Sequence, residues 1–162
     1  MGSSRASAPR NLQQEVGKVE PFDQPEQEAY LNLIRTTSVL ADAFTSLFKS
    51  YGVSDAQYNA LRIIASAGRV GIRSETVGER MVARDPDTTR LIDRLQKAGL
   101  VERDRLSDDR RCVVARVTAE GRRLLRRITP HVQELHQVQL GHLSRTQLRQ
   151  FNALLFLARH PE

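Results

Sequence analysis

The sequence of 162 residues predicts a mainly α-helical protein with one small β-hairpin. Three observations carry that prediction. Apolar residues recur at spacings of three and four through most of the chain, several helix starts are written as capping motifs, and one short stretch alternates around a turn as paired strands do.

Residues 1–27 are polar, hold Pro9, Pro21 and Pro25 and show no periodicity, which predicts a flexible arm. From Ala29 to Tyr51 the positions Tyr30, Ile34, Thr37, Ala41, Phe44, Phe48 and Tyr51 form one stripe, widened by Leu33, Leu40 and Leu47, and Gly52 suits the C-terminal cap. Ser54 with Gln57, and Ser144 with Gln147, are capping boxes, each flanked by a hydrophobic staple, so helices begin near 54 and near 144. The first carries Leu61, Ile64 and Ala65 inward and stops at Gly68. The extended piece "RVGIR" follows, and Ser74 caps a brief helix through Met81.

In "ARDPDTTRLIDRLQKAGL" Asp85 is placed to cap a helix with Pro86 at its first position and Gly99 past its end. Leu91, Leu95 and Ala98, helped by Ile92, make its buried stripe, while Asp87, Arg90, Arg94 and Lys97 share another face. "VERDR" and "RCVVARV" read as strands joined by the turn formers "LSDD", with Val113, Ala115 and Val117 alternating against Cys112, Val114 and Arg116. Thr118 caps a long helix through Leu125, Ile128, Val132, Leu135 and Val138, kinked at Pro130, and the last helix presents Leu148, Phe151, Leu155 and Ala158.

Charge narrows the function. The net charge is +6, and its excess is local: residues 1–83 hold nine basic and nine acidic side chains, residues 84–127 thirteen and eight, residues 128–162 three and two. Of the 25 basic residues 22 are arginine, whose planar fork suits phosphates and guanine edges. A run of about 18 apolar residues is absent and residues 1–27 have no apolar segment of the secretory type, so a cytoplasmic protein that does not span the membrane is expected. The single cysteine, Cys112, excludes an internal disulfide and is read as structural or incidental, with a lone redox thiol as the alternative.

The centre of the chain, 54–117, therefore runs helix, short strand, short helix, basic-faced helix, charged hairpin. That is the order of a winged helix-turn-helix, in which the second helix of the pair enters the major groove and the hairpin reaches the backbone or minor groove. Thr88 and Thr89 supply short polar groups at the end that points to base edges, and Arg90 and Arg94 supply cations farther along. Asp87 has two readings, acceptance from a cytosine or stabilisation of the helix N-terminus, of which the second is favoured.

"TTRLIDRLQKAGLVERDRLSDDRRCVVARVTAEGRRLL" resembles the recognition helix and wing of the MarR family of bacterial transcription regulators. The matching elements are Gly99-Leu100-Val101-Glu102-Arg103, the Asp-x-Arg wing at Asp109-Arg110-Arg111, and Val117-Thr118-Ala119-Glu120-Gly121, where Val117 replaces the usual leucine. The resemblance implies a homodimer whose first and last two helices interdigitate (28–53 and 118–162) and two winged lobes on a pseudo-palindromic operator of double-stranded DNA. The wide apolar stripes of those helices, more than so small a lobe can bury, agree with it.

Position by position, Arg111 corresponds to the arginine that enters the minor groove, and Arg110 lies beside it on phosphate. Asp109 would orient Arg111 by charge-assisted hydrogen bonds. Arg103 and Arg105 on the outgoing strand face the DNA backbone, and Asp108 and Asp109 make the turn. The resemblance further implies a repressor relieved by a small, aromatic or phenolic effector near Phe48, Tyr51, Tyr58 and Arg62, residues that are more readily core and surface positions. A ligand-independent regulator is the alternative, as is a winged helix used for RNA or protein contacts.

Other chemistries find little support. On a helix His131 and His136 point about 140° apart, and His131 and His142 lie about 16 Å apart along the axis, so no metal and no cofactor are expected. Without a nucleophile motif, a Gly-rich phosphate loop or a metal pattern on one helix face, an enzyme is not expected.

Overall fold

A computed structural model describes the backbone of residues 11–106 and 109–161, and their side chains apart from those of residues 105, 106 and 109–112. The elements are α1 (Leu12–Glu15), α2 (Pro25–Ser50), α3 (Asp55–Ser66), β1 (Ile72–Arg73), α4 (Ser74–Arg80), α5 (Thr88–Lys97), β2 (Val101–Leu106), β3 (Asp109–Val117), α6 (Ala119–Leu140) and α7 (Arg145–Arg159). The chain divides into two compact units, Met1–Asp42 and Ala43–Glu162, with the boundary inside α2.

In the first unit the sequence reading missed α1. Asn11 accepts from Gln14 N while the Gln14 side chain accepts from Asn11 N, a complete capping box one turn long, and Leu12 is buried. The signal was present as an Asn three residues before a Gln, but so short a helix has no periodicity to confirm it. Arg35 of α2 lies 3.5 Å from Glu15. The helix α2 begins four residues earlier than the stripe indicates, since Pro25 occupies the first position and Glu26 and Glu28 the positive end of the dipole. Tyr30, Leu31, Leu33, Ile34 and Val39 of this helix are exposed.

The second unit holds one core, in which Leu61 and Ile64 of α3, Val77 of α4, Ile92 and Leu95 of α5, Val101 of β2 and Ile128 of α6 are fully buried. The sheet order is β1-β3-β2, both pairs antiparallel, with Ile72 opposite Ala115 and Val101 opposite Val117. The expected alternation holds only in part: Val114 is buried along with Ala115 and Val117, since the segment at Gly71 lies against its side chain, while Val113, farther out on the hairpin, is exposed.

Two caps move. Asp87, not Asp85, caps α5, and Arg73, not Ser74, stands at the N-cap of α4 without a side-chain bond. On α6 the buried positions are Gly121, Leu124, Ile128 and Val132; Leu125 is only partly buried and Val138 is exposed. That helix continues through Pro130.

The "VT..G" element forms a knot between the end of α5 and the start of α6. Gly99, at φ 70, ends α5 in the left-handed region, and Leu100 N bonds back to Leu95 O at 3.0 Å. Thr118 Oγ1 donates to Gly99 O at 2.7 Å and accepts from Gly121 N at 3.0 Å, while Thr118 N donates to Leu100 O at 3.1 Å. A Cβ at residue 121 would lie 2.2 Å from Leu100 O, so only glycine lets the strands and α6 close at this point.

Candidate nucleic-acid interface

The candidate recognition element is α5. Its apolar positions Leu91, Ile92 and Leu95 are buried against the core, which turns Thr89, Arg90 and Arg94 outward on the exposed side. Asp85 Oδ1 accepts from Asp87 N at 2.8 Å, closing a turn over Pro86, and Asp87 Oδ1 then accepts from Arg90 N at 3.0 Å as the true cap. The stabilising reading of Asp87 thus has a geometry, and Arg90 Nε also lies 3.1 Å from Asp87 Oδ2.

Thr88 and Thr89 part company. A Cβ at Gly78 would meet Thr88 Oγ1 at 2.8 Å, so α4 and α5 approach closely and the half-buried Thr88 hydroxyl lies against α4. Thr89 and Arg90 stay exposed. Asn59 of α3 accepts from Val82 N at 2.9 Å and holds the turn between α4 and α5. The sequence reading missed this contact, because nothing local links residues 23 positions apart.

The hairpin is tied to this helix at its base. Arg103 of β2 places Nη1 2.5 Å from Asp93 Oδ1 and donates from Nη2 to Thr89 O at 3.2 Å, with 25% of its side chain exposed. The resemblance implies Arg103 on the DNA backbone, whereas its guanidinium is engaged by α5. Across the sheet Arg116 pairs with Asp104, diagonally placed since Asp104 stands opposite Val114. The same guanidinium donates to Arg69 O at 2.7 Å and Val70 O at 3.4 Å, pinning the segment before β1. In sequence Arg116 is only an alternating strand position, and its partners become visible only once register is known.

Farther out, β2 reaches Leu106 and β3 starts at Asp109, with an irregularity between Arg105 and Leu106. The side chains of Arg105, Asp109, Arg110, Arg111 and Cys112 lie outside the described residues, as does Asp108 altogether. The backbone nevertheless puts residues 105 and 109–111 at the free end of the hairpin, remote from the base that Arg103 and Arg116 hold.

A second constellation lines the end of α2, α3 and α6. Phe48 stacks on Tyr58 at 4.4 Å, Arg62 lies 6.0 Å from the Tyr58 ring, and Arg127 lies 5.3 Å from the Tyr51 ring. Tyr58 is 6% exposed, and among the described residues its buried hydroxyl has no hydrogen-bond partner. His131 lies beside Tyr51 at 6.2 Å and His136 beside Phe44 at 4.9 Å. Among the described residues no three His, Cys, Asp or Glu gather as a metal site, and no helix is long and apolar enough to cross a membrane.

A helix pair whose second member exposes threonine and arginine, backed by a three-stranded sheet with a projecting hairpin, defines a winged helix-turn-helix protein. Residues 53–113 match the MarR family. The regulator FarR of Neisseria gonorrhoeae, an HTH-type transcriptional regulator, is 30% identical over 104 residues, which are 64% of this chain and 70% of FarR. A MarR transcription factor from Planctomyces limnophilus is 37% identical, with a TM-score of 0.64 over 85% of this chain and 99% of that one. Sco3205 of Streptomyces coelicolor, a MarR family regulator solved in complex with DNA, shares the fold with a TM-score of 0.76 at 21% identity, over 87% and 91% of the two chains. The chain belongs to the MarR family of transcription regulators.

Proposed function

We propose that this regulator is a cytoplasmic homodimer that binds a pseudo-palindromic operator in double-stranded DNA and acts as a repressor, with no catalytic step. The observation that carries the reading is the outward face of α5, where Thr89, Arg90 and Arg94 are exposed beside a hairpin clamped to the same helix by Arg103. Thr89, Arg90 and Arg94 meet the major groove; Arg105, Arg110 and Arg111 meet phosphate and the minor groove; Asp109 aims Arg111. Thr88 and Arg103 serve the interface from behind, one packed on α4 and the other bonded to α5.

Residues 54–117 form the DNA-binding lobe, residues 1–27 the N-terminal arm, and residues 28–53 with 118–162 the dimerisation region. Exposed Tyr30, Leu33 and Ile34 on α2 and Leu154, Phe156 and Leu157 on α7 support that assignment, since a monomer would leave these apolar side chains in water. Half-sites then lie about 10 bp apart, centre to centre.

Release by a small aromatic effector is supported by Tyr58, whose buried hydroxyl stands without a partner in a cluster of rings and guanidinium groups. A buried unpaired hydroxyl is destabilising by about 1 to 3 kcal/mol, and a phenolic or carboxylate ligand would satisfy it.

Binding to operator and to random duplex, titrated with salt, tests the central claim. A dimeric repressor prefers its operator by about 10³-fold or more at fixed salt. Equal affinity for both duplexes, or preference for RNA, would refute it.

A further inference from the structure

Asp87 performs two tasks with its two oxygens. Oδ1 accepts from Arg90 N at 3.0 Å and caps α5, while Oδ2 lies 3.1 Å from Arg90 Nε. Its own backbone is held on both sides, by Asp85 Oδ1 at 2.8 Å and by the first helical bond from Leu91 N at 3.1 Å. The carboxylate is therefore a fixed post, and the arginine paired with it is 79% exposed along its side chain.

A guanidinium has more than one edge that can bind a partner as a fork. The pair with Asp87 engages Nε, the nitrogen nearest the chain, which leaves the terminal Nη1 and Nη2 for a partner outside the protein. In the major groove the partner that fits a forked donor is guanine, through O6 and N7. A free arginine on a helix end samples many rotamers and settles on phosphate as readily as on a base. An arginine held at Nε loses less freedom on meeting one base edge and is worse placed to follow the backbone.

The charge of Asp87 acts in the same direction. A carboxylate at the groove-facing end of α5 repels phosphate wherever the protein lands, which lowers binding to all sequences. The other arginines of the interface offset this on every sequence alike, whereas a guanine contact through Arg90 offsets it only where guanine is present.

We infer that Asp87 is a positioning residue that makes Arg90 selective for guanine in the operator and weakens binding to unrelated DNA. This rests on the reading that α5 enters the major groove. Asparagine caps a helix as well as aspartate, so Asp87→Asn keeps the cap and removes the ion pair. Asp87→Ser provides a second capped variant, and thermal unfolding checks both.

The full-length wild type, both variants, Arg90→Ala and the double variant Asp87→Asn/Arg90→Ala are each used to select duplexes from a random pool, then titrated with the selected and the random DNA. The wild type should enrich a guanine at one position of each half-site. Asp87→Asn and Asp87→Ser should lose that preference by about tenfold, retain the other positions and bind random duplex more tightly. In the Arg90→Ala background, Asp87→Asn should change no base preference. An undiminished guanine in both capped variants would overturn the inference, as would equal losses at every position. A preference that Asp87→Asn still shifts without Arg90 would mean that Asp87 reads a base itself, and would overturn it too. Should the wild type enrich no sequence at all, the fault lies with the underlying DNA-binding reading.

Discussion

The guanidinium of Arg103 bridges two points of one helix, standing 2.5 Å from the Asp93 carboxylate and 3.2 Å from the Thr89 carbonyl. This joins β2 to α5 at outward-facing Thr89 and one turn farther along at Asp93, so the hairpin and this helix hold a set angle. With α5 in the major groove and the hairpin in the minor groove, as proposed, such a joint matters, because an error in the angle at the base grows toward the hairpin tip.

Replacing Arg103 by alanine should therefore reduce operator affinity several-fold while leaving the salt dependence nearly unchanged. A phosphate contact would behave differently, lowering the slope of log K against log[salt] by about one unit. The loss of folding stability should be small, about 1 kcal/mol or less, because both partners are partly solvated. Asp93→Asn should give the same pattern, and a double-mutant cycle should find the two effects non-additive.

At the tip the opposite signature is expected. Arg111→Ala should weaken operator binding by about 1 to 3 kcal/mol and reduce the salt slope by about one unit. Asp109→Asn should weaken binding as well, even though removal of a negative charge near DNA favours association by itself. Tighter binding by Asp109→Asn in a fluorescence anisotropy titration would show that Asp109 does not aim Arg111.

Gly121→Ala puts a methyl group 2.2 Å from the Leu100 carbonyl, a backbone atom that can yield only by moving β2 and α6 apart. A destabilisation of about 1 to 3 kcal/mol is expected, measurable as an earlier midpoint in urea. Gly78→Ala should be milder, since its neighbour at 2.8 Å is the Thr88 hydroxyl, which can rotate.

For the proposed dimer, Leu154→Asp combined with Leu157→Asp should give monomers at micromolar concentration in sedimentation velocity, and deletion from Ser144 onward should do the same. Both leucines are more than half exposed, so the substitution should hardly disturb the fold of a single chain. A wild type that sediments as a stable monomer would contradict the architecture.

Local signals in the sequence carried over where one turn of chain was enough to define them. The boxes at Ser54 with Gln57 and at Ser144 with Gln147 form as written, as does the cap by Thr118, since each bond spans three residues. Asp85 and Asp87 illustrate the margin of error: both are good cap formers, and Pro86 between them fits a helix start and a turn equally well. The turn was chosen, Asp85 accepts from Asp87 N, and the helix begins later.

By itself, then, the sequence determined the order of elements from α2 onward, the hairpin and the buried positions Leu91, Ile92 and Leu95 of α5, which rest on periodicity and short-range hydrogen bonds. Ala98, expected in the same stripe, is exposed at the end of the helix, and the family was legible from the wing motif. Tertiary structure alone decided what the charged side chains do. It turned Thr88 onto Gly78 and left Thr89 outside, joined Arg103 to Asp93, and gave Arg116 the carbonyls of Arg69 and Val70. An arginine reads the same in sequence whether it faces a phosphate or a neighbouring carboxylate. Which it meets depends on strand register and helix packing, and these bring together residues as many as 47 positions apart.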